Sequence, residues 1–354
     1  MPNISKPRTD TIESVTLSAK ERREMRAGLA HFLNTYAAHT YRFGWHAFFM
    51  FFRSFYGALG TAMGMVLIAG GISYAAESSL PGDVLYPIKV GGTERVRSWT
   101  AISYEANGAW NVTRADRRLQ EAALLAVQGK LDSEKEADLT SRLQKHTEEA
   151  TETIAHLQIE KQITAAANTS SRLESSLRLR GQILTQITED RMDISGPMKG
   201  MLAVIKKDVT ETTKVRTSLE EEIAEDVSDE GDIQKEEVEK KAKELKGALV
   251  AAWKHVKADS FHDALRRKAE TFLVTAKDLA DAGDAFLLAG EYGKAFTSYQ
   301  KALRIAHAVS TFSEAKTDFA IDLNLEALIG EEDVIVADAV KPEKKEEKST
   351  GTEK

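Results

Sequence analysis

Residues 133–157 read SEKEADLTSRLQKHTEEATETIAHL. Leu139, Leu143, His146, Ala150, Ile154 and Leu157 recur every three or four residues, with charged or polar residues between them. That period puts the six on one stripe of an α-helix. The stripe is narrow, the width of a seam between packed helices. Leu173, Leu177, Leu184 and Ile187 repeat the pattern, as do Met198, Leu202, Ile205, Val209, Leu219 and Ile223. Prolines are scarce around these stripes: between Val90 and Val340 only Pro197 interrupts the chain. A proline inside a helix costs about 3 kcal/mol, so a tract this free of it suits helix after helix. Strictly alternating Val and Ile runs are missing, so no strands are expected. Ser133 with Glu136, and Ser171 with Glu174, have the spacing of capping boxes and mark two helix starts. Ser195-Gly196-Pro197 and the Ser228–Asp232 run mark two breaks. The expected fold is all-α, with residues 93–226 forming an elongated helical bundle or a coiled-coil-like hairpin.

Upstream lies SFYGALGTAMGMVLIAGGISYAA, residues 54–76, without a charge in 23 positions. As a helix this run is about 34 Å long, enough for the hydrocarbon core of a bilayer. It reads as a transmembrane helix. A cleaved leader is disfavoured, because it would exceed 70 residues and its apolar run is too long. Residues 1–53 hold eight Lys and Arg against four Asp and Glu, a net +4. The whole chain carries −7, which leaves −11 for residues 77–354. The positive-inside rule then puts 1–53 in the cytoplasm and 77–354 outside. Eleven of the chain's 25 aromatic residues crowd between Phe32 and Tyr56. Such rings favour headgroup depth, so 1–53 is expected to contain an amphipathic juxtamembrane helix. The stretch 41–53 reads either as interfacial or as the start of a longer tilted span. Gly60 and Gly64 have the GxxxG spacing that lets two membrane helices meet closely, a route to a homodimer through the span.

A proline-rich collar, 77–92, comes directly after the run. Its core is Leu80-Pro81-Gly82-Asp83-Val84-Leu85-Tyr86-Pro87-Ile88-Lys89. Two prolines and Gly82 stop the helix and restrict the backbone. Leu85, Tyr86 and Ile88 are expected to dock on a neighbouring helix, and Asp83 and Lys89 to fix charges at its end. The next helix is expected to start at Thr93 as cap, with Glu94 in its first turn. These ten residues resemble a bacterial single-pass membrane family, described only as a domain of unknown function, whose members carry LPGD-x-LYP-x-K just outside the span. The pattern Arg114-Ala-Asp-Arg117-Arg118-Leu119, Glu121-Ala122, Ala126 and Gly129-Lys130-Leu131-Asp132 is also similar to that family. The resemblance covers roughly residues 75–190. It implies topology and location, with Leu80, Pro81, Gly82, Asp83, Leu85, Tyr86, Pro87, Lys89 and Glu94 as the structural motif. Some relatives resemble anti-sigma regulators, which implies a cytoplasmic effector role for the N-terminal helix.

Residues 233–332 form a second expected unit. Gly283, Phe286, Tyr292, Ala295, Tyr299 and Ala302 resemble one tetratricopeptide repeat, with small residues for close helix approach and aromatics filling the space between. No second copy occurs at the 34-residue period, and one repeat makes no solenoid groove. The expectation is an antiparallel helix pair. Residues 333–354 read as a disordered charged tail, charge-dense from Lys341 onward.

The absence of cysteine excludes disulfides, thiolate catalysis and cysteine-ligated metals. The eight histidines show no Glu-x-x-His pair and no HExxH, and the chain contains neither GxSxG nor a phosphate loop. No catalytic residue, cofactor or metal is expected, and the net negative charge argues against nucleic acid. The expected function is a non-enzymatic, membrane-anchored envelope protein. Its partners would be the bilayer and an envelope protein met through an interaction or scaffolding module. The alternative is an anti-sigma-like transmembrane regulator.

Overall fold

A computed structural model describes residues 18–40, 71, 74–191, 194–225, 235–257, 263–319, 325–329 and 333. The expected span 54–76 lies almost entirely outside these residues, as do Gly60, Gly64, the stretch 41–53, the Ser228–Asp232 break and the tail after Asp333. Among the described residues no helix is long and apolar enough to cross a membrane. The described residues are helical, without strands, so the chain is all-α. It divides into two compact units, 1–75 and 76–354.

In the first unit, α1 spans Ala19–Thr40. Ser18 and Glu21 cap it reciprocally: the Ser18 amide donates to Glu21 Oε2 at 2.8 Å, and the Glu21 amide donates to Ser18 Oγ at 3.4 Å. The sequence reading missed this capping box. Side chains 19–28 are all exposed.

The second unit holds α2 (Glu94–Thr100), α3 (Tyr104–Val127), α4 (Ser133–Ile159), α5 (Ile163–Asp190), α6 (Ser195–Glu225), α7 (Lys235–Lys257), α8 (Asp263–Ala289), α9 (Tyr292–Phe319) and α10 (Leu325–Leu328). α3 and α4 pack as a hairpin, α5 lies against both, and α6 lies against α4 and α5. All six residues of the opening stripe are buried. Leu173, Leu177, Leu184 and Ile187 on α5 face the same core, and Leu219 and Ile223 on α6 join it.

Two helix starts differ from the spacing argument. α4 is capped by Asp132, whose carboxylate accepts the Lys135 amide at 2.9 Å. Glu136, instead of reaching back, accepts the amide of Met201 on α6 at 3.1 Å. Ser171 and Glu174 start nothing: both are buried in the middle of α5.

The tetratricopeptide-like residues form the predicted antiparallel pair. Gly290, at φ +79°, closes α8 with the Glu291 amide donating to the Phe286 carbonyl at 2.9 Å. Gly283 lies under the Tyr299 ring, 2.5 Å from where a Cβ would sit. Ala295, Tyr299 and Ala302 are buried, while Phe286 and Tyr292 are only partly covered. α9 also packs on α5, α6 and α7. The core is therefore continuous from α3 to α10.

A set of buried charges crosses this core. Arg216 on α6 pairs with Glu174 on α5 and, at 2.8 Å, with Glu220. Arg304 on α9 pairs with Glu220 and, at 2.7 Å, with Asp333. Burial alone would lower the Arg304 pKa, but the two carboxylates outweigh it and hold it up. Asp333, placed by composition at the start of a disordered tail, is instead buried. Burial would raise its pKa, yet Arg304 wins and keeps its carboxyl below the ordinary range.

Candidate functional site: the collar junction

The collar takes its shape from a tight turn. Gly82 has φ +99°, a value that favours glycine. Asp83 Oδ2 accepts the Leu80 amide at 2.7 Å, and the Asp83 amide donates to the Leu80 carbonyl at 2.9 Å. Asp83 thus closes the turn at the surface rather than fixing a charge on a helix end. Pro81 is buried, Leu80 and Leu85 are half-buried, and Pro87 is exposed. Ile88, expected to dock on a neighbouring helix, is 39% exposed.

After the turn the collar is helical, contrary to expectation. One α turn, Tyr86–Ile88, leads through a π turn, Lys89–Thr93, into α2. Thr93 is therefore no cap: it has helical dihedrals, and its hydroxyl donates back to the Lys89 carbonyl at 3.0 Å. A π turn widens the helix by one residue and rotates the facing of the residues beyond it. Here it lets Tyr86, Lys89 and Glu94 all be buried.

These three side chains meet a buried arginine and glutamate on α3. Arg118 Nη1 donates to the Tyr86 hydroxyl at 2.9 Å, and that hydroxyl donates to Glu121 Oε2 at 3.0 Å. Arg118 Nη2 donates to Glu94 Oε1 at 2.5 Å and lies 3.2 Å from Glu121 Oε1. Lys89 Nζ completes the set, 2.7 Å from Glu121 Oε1 and 3.0 Å from the Ser79 carbonyl. Lys89, Arg118 and Arg142 also lie within 6 Å of the Tyr86 ring centroid, within reach of cation–π attraction. Burial pushes the phenol pKa up, so Tyr86 stays a neutral donor. Two cations and two carboxylates balance, which buried charges require. Outside this cluster, Arg117 pairs with Glu77 and approaches Glu94 at 3.5 Å. The collar is thereby pinned to α3 from Glu77 to Glu94.

Of the motif residues, the structure gathers Tyr86, Lys89 and Glu94 into one cluster and leaves the turn residues Leu80–Asp83 beside the α3–α4 joint. The sequence reading assigned no role to Arg118 and Glu121. A signal existed: Arg118 sits one helical turn from Ala115 and Ala122 and beside Leu119, all fully buried.

A cleft of about 670 Å³ adjoins the cluster between α2, α3 and α4. Arg95, Trp99, Tyr104, Arg114, Lys145, His146 and His156 are among its walls. Tyr104 stacks on His156 with centroids 5.3 Å apart. Arg114 pairs with Glu149 at 2.9 Å. Burial, reinforced by Arg114, Arg118, Lys145 and Arg142, pushes His146 down to about 3, so it is neutral near pH 7. The cleft's charges are mostly paired within the protein, and no nucleophile–base pair stands out in it. Among the described residues no group of three or more His, Asp or Glu is gathered for a metal ion. Comparison with protein-family models, curated proteins and solved structures finds no match to this chain.

Proposed function

We propose that the protein is a non-enzymatic, single-pass membrane protein that holds a rigid helical module outside the cytoplasmic membrane for interaction or scaffolding. The observation that supports this most is the collar cluster. An uncharged run of 23 residues ends at Ala76. Within the next 18 residues, Glu77, Tyr86, Lys89 and Glu94 are all tied to α3. A flexible tether needs no such network. A stalk that keeps its module at a fixed height and orientation does. The resemblance of Leu80–Lys89 to the LPGD-x-LYP-x-K family supports the same topology.

The test is membrane retention of the full chain in a bacterial host. The protein is expected to float with membranes and resist alkaline carbonate. Val66→Asp with Ala69→Asp, each costing about 2.5–3.5 kcal/mol at the centre of a span, should release it. Full release of the unmodified chain would overturn the reading.

The exposure of side chains 19–28 on α1 favours a second reading, in which a cytoplasmic regulator of the sigma-factor kind binds its Glu21, Arg22, Arg23 and Arg26 face. Cross-linking the full chain from Met25→Cys in cells would test it. Capture of a sigma factor supports the reading, and its absence from the products opposes it.

A further inference from the structure

Several of the large apolar side chains exposed among the described residues are scattered singly, which is ordinary on a soluble surface. The segment 96–104 is different. Val96 is 56% exposed, Trp99 73%, Ile102 93% and Tyr104 49%. They belong to α2, the turn after it and the first residue of α3, and Trp99 and Tyr104 share the mouth of one cleft. Trp110, by contrast, is buried and donates its indole N–H to Ser98 Oγ at 2.8 Å. The exposure of Trp99 is thus local to this face.

The position of this face is set by short contacts. Glu77 pairs with Arg117, whose guanidinium lies 5.3 Å from the Trp110 ring centroid. Arg97 lies 4.6 Å from the same ring on the α2 side. Three side-chain contacts therefore separate Glu77 from the backbone that carries Trp99. Glu77 is the first residue after the uncharged run.

We propose that the Val96–Tyr104 face rests on the outer surface of the bilayer, with Trp99, Ile102 and Tyr104 at headgroup depth. This inference rests on the reading of 54–76 as a span. If the chain leaves the hydrocarbon at Ala76, these contacts keep the face within a few side chains of the headgroup layer. Trp and Tyr favour that layer because one end of each ring is apolar and the other can hydrogen-bond. Arg95 is exposed next to Val96, and a guanidinium there suits lipid phosphate. The face would thus hold the module against the membrane at a second point, fixing its tilt as the collar fixes its height.

The chain has no cysteine, so single spin labels can be placed without background. Trp99→Cys, Ile102→Cys, Tyr74→Cys and Leu288→Cys are made in the full chain. Each is labelled and reconstituted in vesicles of phosphatidylcholine and phosphatidylglycerol. Leu288 is the aqueous reference, 90% exposed at the end of α8, and Tyr74 reports the span. The labels at 99 and 102 are expected to lose collisions with a water-soluble nickel chelate and gain collisions with oxygen, relative to 288. If they match 288 while 74 is protected, the inference falls and the span stands. If 74 also matches 288, the span reading falls and takes the inference with it. Val96→Cys replaces Trp99→Cys should circular dichroism show that the latter has lost helix.

Discussion

Arg118 has no exposed surface, and its guanidinium reaches Tyr86, Glu94 and Glu121 at once. Removing it leaves Glu121 with Lys89 and Glu94 with only the more distant Arg117. Losing one partner of a buried ion pair costs about 3–5 kcal/mol. Arg118→Met is therefore expected to lower the unfolding free energy by about that amount, read by denaturant titration of helical circular dichroism. A loss below about 1 kcal/mol would show that the cluster contributes little. His146 gives a pH signature. Its folded pKa of about 3 lies below the usual histidine value of about 6.5, so between these values the unfolded chain binds the extra proton. Stability should then fall as pH drops from about 6.5 to 3, by at most about 4 kcal/mol from this residue. The groups facing the imidazole are Arg114, Arg118, Arg142, Lys145 and Glu149. His146→Gln should flatten this part of the stability–pH curve, and an unchanged slope would contradict the assignment. Sequence alone could place His146 on an apolar stripe. It could not say that cations would surround it, because those come from α3 as well as α4.

At the scale of elements, periodicity carried most of the reading, and its failures have physical causes. The Leu139–Leu157 stripe was legible because every apolar position faces one seam. Ser171 and Glu174 looked like a capping box because their spacing is the same on a cap and within a helix. Only the presence of Arg216 on α6 makes Glu174 an interior residue. The π turn was hidden for a related reason: Gly91-Gly92 and the prolines argue against helix, while the buried pairing of Tyr86, Lys89 and Glu94 favours it. Glycines show how context decides sign. A Cβ on Gly293 would lie 1.9 Å from the Ile223 carbonyl oxygen, where α9 crosses the end of α6. Gly293→Ala should destabilise by roughly 1–3 kcal/mol, as overpacking does. Gly247, in α7, has nothing within 4 Å of a Cβ, and Gly247→Ala should stabilise by about 0.5–1 kcal/mol. Thermal unfolding of the two variants checks both signs. Equal shifts would mean that helix propensity, not the α6–α9 approach, sets the outcome.

For the whole molecule, the proposed orientation rests on charge. Residues 1–53 carry +4 and residues 77–354 carry −11, on either side of one uncharged run. The expectation of a helical unit at 93–226 and another at 233–332 rested on a break near 228. The structure adds that helices from both share one core and one buried ion network through Arg216, Glu220 and Arg304. A sequence scan could find the break but not the packing across it. The central proposal is that the chain carries its helical body on the outer side of the membrane and residues 1–53 on the cytoplasmic side. The most direct measurement is labelling of single cysteines in intact cells with a membrane-impermeant maleimide, at Leu288→Cys and Met25→Cys. Both positions are exposed, and the chain adds no thiol of its own. In cells whose outer barrier is opened and inner membrane intact, position 288 is predicted to label fully and position 25 only after the inner membrane is permeabilised. Labelling of 25 before permeabilisation, or protection of 288 until then, would contradict the account.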